Sequence, residues 1–93
     1  MDLDTAETIA ISALTFLAGD EQRLGRFLAL TGLGPAELKA QAHTPRLLAA
    51  VLDHVLQDEN LLLVFAASSR IAPELITPAQ QLLAERAGGS YER

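Results

Sequence analysis

Ninety-three residues, no cysteine and a net charge of −5 leave room for one domain held together by packing alone. They exclude a disulfide framework, a thiolate nucleophile and a cysteine metal site, and the acidic total disfavours generic attraction to nucleic acid or anionic lipid. Leu and Ala supply 34 residues against seven for Val and Ile, which favours helix because β-branched side chains lose rotamer freedom there.

Asp4-Thr5-Ala6-Glu7 has the spacing of a capping box, with Asp4 as the N-cap. It predicts a helix over 5–18 with Ala6, Ile9, Ala10, Ala13, Leu14 and Leu17 on one face, ended by Gly19. Asp20 then caps a second helix, 21–31, whose face carries Leu24, Phe27, Leu28 and Thr31 with Arg23 and Arg26 beside them; Gly32 closes it. Gly34-Pro35 opens a short helix over 35–42, Leu38 pointing inward and Glu37 and Lys39 outward.

Thr44-Pro45 repeats that device for a helix over 45–57, where Leu47/Leu48, Val51/Leu52 and Val55/Leu56 form a face too wide for one partner. Asp58-Glu59 precede a helix over 59–70 that is apolar all round from Leu61 to Ala67. Such a helix is expected at the centre of the bundle, or else with one side covered by a second protein molecule. The seven-residue run is far short of the ~20 residues of a membrane span. Pro73 to Ile76 reads as a turn or single loose coil, since a proline in mid-helix costs ~3 kcal/mol or more. Thr77 is expected to cap a final helix over 78–87, stopped by Gly88-Gly89, with Ser90 to Arg93 frayed. The fold class is therefore all-α: a single domain, 1–93, built as a compact bundle of five to six short helices with the 60–70 helix central.

Shifting the chain by 38 residues aligns Leu14 with Leu52, Asp20-Glu21 with Asp58-Glu59, Leu24 with Leu62, Phe27 with Phe65, Ala29 with Ala67 and Pro35 with Pro73. Each copy would read helix, acidic cap, helix, proline, helix. Leu and Ala match by chance in so biased a chain; the Asp-Glu, Phe and Pro pairs do not depend on that bias. Duplication of a three-helix unit and coincidence both remain open readings. Two copies are too few for a solenoid, so the pattern suits a bundle with approximate twofold symmetry.

The stretch from Phe16 to Leu33 (FLAGDEQRLGRFLALTGL), with Asp58-Glu59 and Phe65-Ala66, resembles a small alphaproteobacterial family of proteins of unknown function. The similarity extends over nearly the whole chain. It implies a bacterial, cytoplasmic, all-helical protein and brings no activity, cofactor or binding residue. The acidic opening Met1-Asp2-Leu3-Asp4, unlike a secretory signal, is in keeping with a cytoplasmic address.

The chemistry-bearing residues read as structural. Asp20 and Asp58 sit where a carboxylate satisfies free N–H groups at a helix start. His54 and Asp58 are four apart, but a zinc site needs three or four ligands, and His43 sits before a proline start as a surface or capping residue. Ser68-Ser69 lack a nucleophile elbow, and Gly32-Leu33-Gly34 lacks the Lys-Ser/Thr ending of a phosphate loop. No catalytic residue, cofactor, metal or small-molecule ligand is indicated.

The apolar excess favours a non-catalytic module that binds a protein partner or forms a homodimer, with Arg23, Arg26, Phe27, Lys39 and Arg46 as candidate partner contacts. The alternative is nucleic-acid binding through 31–43, which is shaped like the turn and second helix of a helix-turn-helix. Lys39, Gln41 and His43 are the only base- or phosphate-reading candidates on it.

Overall fold

The computed structural model describes residues 1–88, and the regular elements in that span are all helical. They are α1 (Leu3–Ala18), α2 (Glu21–Thr31), α3 (Pro35–Gln41), α4 (Pro45–Leu56), α5 (Glu59–Ser69), a 3-10 turn at Pro73–Leu75, and α6 (Ile76–Gly88). The expected stop at Gly89 and the frayed 90–93 segment lie outside the described residues.

Local chemistry sets the helix starts. Asp20 Oδ1 accepts the N–H groups of Gln22 and Arg23 at 2.9 and 3.3 Å, Asp58 Oδ1 that of Leu61 at 3.1 Å, and Thr44 Oγ1 that of Leu47 at 3.2 Å. These donors have no partner inside their own helices, so each cap removes an unmet hydrogen bond. At α3 the roles reverse. Gly34 has no side chain to offer, and Glu37 reaches back to accept the Gly34 N–H at 2.9 Å.

Two starts differ from the sequence expectation. Asp2, not Asp4, caps α1, accepting the Thr5 N–H at 2.8 Å, and the helix begins at Leu3 rather than at residue 5. Those hydrogen bonds to Thr5 hold the Asp2 carboxyl below its usual range. Asp4 instead lies in the first turn, where its charge faces the positive end of the helix dipole. Thr77 is likewise not the cap of α6. The 3-10 turn runs straight into that helix, with the Ile76 N–H donating to the Pro73 carbonyl. Pro78 falls in the first turn, where a missing N–H costs nothing.

The core is entirely apolar among the described residues. α1 contributes Ala6, Ile9, Ala10, Ala13 and Leu17; α4 contributes Leu47, Leu48, Ala49, Val51, Leu52 and Val55; α6 contributes Ile76, Ala79 and Leu83. α4 lies most closely against α6 and also packs on α1, which itself packs on α6. Each Leu or Val removed from water in this three-helix centre adds about 1.5–3 kcal/mol.

The helix at the centre is α4, and the expectation that 60–70 occupies that place is corrected. α5 buries only Phe65 and Ala66, while Leu63 and Val64 are 50% and 46% exposed. The molecule's shortest dimension is 19 Å, about two helix diameters. A body two helices thick cannot enclose a helix on every side. α5 therefore keeps an apolar flank exposed.

The 38-residue correspondence extends to local geometry. Leu17 and Val55 are both fully buried, as are Phe27 and Phe65, and Asp20 and Asp58 are both caps. Gly32 and Arg70 both end their helices in the left-handed region. Agreement stops at the third helix. α3 has seven residues and buries none, whereas α6 has thirteen and buries three.

Candidate functional site

α2 leans chiefly on α1. Between α2, the end of α4 and the start of α5 lies an open groove of about 560 Å³. Arg23, Arg26 and Leu30 line it from α2, His54 from α4, and Asp58 and Val64 from the α5 side. Leu30, 71% exposed, stands on one wall and Val64 on the other, with the half-exposed Leu63 next to it in sequence. Polar and apolar groups thus share the groove.

Aromatic contacts brace the helices around it. Phe27 is fully buried and meets the His54 ring edge-on, with centroids 5.2 Å apart and planes at 74°. Phe16 and Phe65 meet at 5.4 Å and 52°, tying α1 to α5. The Arg23 guanidinium lies 4.4 Å above the Phe16 ring, attracted by the negative face of the aromatic, and 4.0 Å from Asp20. That ion pair is half-exposed and contributes little.

The charges in the groove differ in how well they are matched. Asp20 and Asp58 serve as N-caps, each with its Oδ1 turned to backbone N–H groups. Gln57 is held by Asp53, Nε2 donating to Oδ2 at 2.9 Å. Arg26 is exposed and forms no ion pair among the described residues. His54 is half-buried, and burial holds its pKa below the usual imidazole value, reinforced by Arg26 and opposed by Asp58 and Asp53. It is therefore a neutral imidazole at pH 7.

Of the five residues singled out from sequence, the structure brings Arg23 and Arg26 together in this groove. Phe27 cannot touch a partner, because it is wholly buried beneath them. Lys39 on α3 and Arg46 in the first turn of α4 are exposed and do not line the groove. Sequence reasoning missed Leu30, His54 and Val64 as groove residues. The i, i+4 spacing of His54 and Asp58 was visible, but it concerns a helix cap beside a half-buried ring. Among the described residues no three His, Asp or Glu side chains gather as metal ligands. Nor is any single helix among them long and apolar enough to cross a membrane.

Residues 3–86 match the family described as protein of unknown function (DUF3572), and the chain belongs to that family. No curated protein and no solved structure matches it.

Proposed function

We propose that this member of the family is a non-catalytic protein-interaction module whose groove between α2 and α5 receives an amphipathic helix of another protein. The observation that carries the reading is the pairing of exposed Leu30 with exposed Val64 across one open groove. A helix lying there would cover apolar walls that water otherwise wets, the helix-in-groove mode of recognition.

A second copy of the chain fits less well. In an isologous dimer the same patch faces itself, so two concave grooves and two Arg26 side chains would meet across the axis. Nucleic acid has less support still. The second helix of the 31–43 motif is the seven-residue α3, whose first turn is Pro35, Ala36 and a Glu37 tied to Gly34. Lys39 is its single cation.

The test is selection of binders from a displayed library of amphipathic helices, followed by mapping of backbone amide shifts. Binders should perturb α2 and α5 and lose affinity toward a Leu30→Asp, Val64→Asp variant, whose exposed positions leave the fold intact. Binders that act elsewhere, or ignore both substitutions, would remove the reading. A dimer seen in sedimentation and dissolved by the same two substitutions would replace the partner with a second copy.

A further inference from the structure

We propose that α5 carries a second interface, separate from the groove, through which two copies of this chain pair by antiparallel α5 helices. Glu59, Leu63, Ala67 and the C-cap Arg70 follow one another at spacings of four, four and three, which sets them in one stripe along the helix. All four are exposed, and none of them lines the groove. Read from its N-terminal end, the stripe runs acidic, large, small, basic.

That order is complementary to its own reverse. In an isologous pair, residue i of one copy meets residue j of the other, and j meets i. Antiparallel helices therefore set Glu59 against Arg70 and Leu63 against Ala67, and the twofold axis repeats both pairings. One pairing is electrostatic and the other steric, yet both put the axis level with Val64 and Phe65. A large side chain over a small one lets the helix axes approach and fills the space between them. Neither Glu59 nor Arg70 forms a salt bridge within its own chain among the described residues, so both charges are open to a second copy. An unrelated partner would need a helix reading base, small, large, acid at these spacings; α5 turned end to end is already one. A single helix pair buries less than the ~1,600 Å² of a standard interface, so the dimer is weak and forms at about 0.1 mM and above.

Sedimentation equilibrium of the full chain measures the pairing, with circular dichroism to verify that each variant is folded. The wild type should be monomeric at about 1 μM and largely dimeric at about 1 mM. Glu59→Arg and Arg70→Glu should each weaken the dimer about tenfold, the first by facing Arg with Arg, the second by facing Glu with Glu. An equimolar mixture of these two variants should restore it as a heterodimer, because every facing pair is again opposite in charge. A helix-dipole effect inside one chain cannot produce that rescue. Leu63→Asp should abolish dimerisation, whereas Leu30→Asp, in the groove wall, should leave it unchanged. A wild type still monomeric at about 1 mM, a dimer indifferent to Leu63→Asp, or charge variants that do not recover on mixing would each overturn the proposal. A dimer dissolved by Leu30→Asp would overturn it as well, and would place the second copy in the groove.

Discussion

Gly32 and Arg70 end α2 and α5 in the same left-handed conformation, at φ 77° and 56°, and each donates its N–H to the carbonyl four residues back, Leu28 and Ala66. Only one of the two is the residue suited to that geometry. An L side chain in the left-handed region costs roughly 1–2 kcal/mol, and glycine avoids it at an entropic cost of roughly 0.5–1 kcal/mol.

Arg70→Gly should therefore stabilise the protein by about 0.5–1 kcal/mol, raising the thermal midpoint by a few degrees. The mirror substitution, Gly32→Ala, should destabilise by a similar amount. Open space surrounds the Gly32 Cα, so backbone strain rather than a clash would be responsible. Thermal and urea denaturation of both variants measure the pair; equal and opposite shifts are expected.

The placement of α4 at the centre makes a sharp contrast between two leucines. Leu52→Ala empties a fully buried position on α4, the helix packed on both α1 and α6, and should cost about 2–5 kcal/mol, a large share of a small domain's stability. Leu63→Ala, on the exposed flank of α5, should stay within about 0.5 kcal/mol of the wild type. Chemical denaturation that ranked them the other way would return the 60–70 helix to the centre.

Helix α3 buries no residue, and only the half-buried Leu38 and the partly buried segment around it anchor it. Its backbone hydrogen bonds should open locally without global unfolding. Amide exchange is expected to be fastest here among the six helices and slowest in α4, with Val51 and Leu52 exchanging near the global limit. Equal protection of α3 and α4 would refute this.

His54 makes stability depend on pH in a definite direction. Its folded pKa lies below the unfolded value, so both states are neutral well above pH 6.5 and the contribution is fully present there. As the pH falls below 6.5, the unfolded chain takes up a proton that the folded one resists, and stability declines until the folded pKa is passed. The denaturation midpoint should drop between about pH 7 and pH 5, and His54→Gln should remove part of the drop.

Helices and their boundaries were legible because the chain carries local signals for them. Asp20, Thr44 and Asp58 act as the caps their positions suggest, and the α1 face chosen by spacing is the one that is buried. What spacing could not convey was which apolar helix the core is built on. The run from Leu61 to Ala67 and the pairs from Leu47 to Leu56 both exceed what a single contact needs. The choice between them is made by tertiary packing in a body two helices thick. The groove was half legible for a related reason. Arg23, Arg26 and Leu30 share one face of α2 at helical spacing, but His54 and Val64 join them only once three helices converge.

Fully buried Ile76, Ala79 and Leu83 on α6 fill the space beside α1 and α4, so those two helices share a lining that is synthesised after both. A nascent chain that has produced α1 through α5 must hold those two greasy flanks bare until α6 emerges, a state open to chaperone capture or clumping. Native packing of this domain consequently belongs to the moments after translation of residue 83. Truncation anywhere upstream of it should yield an insoluble product rather than a smaller folded one.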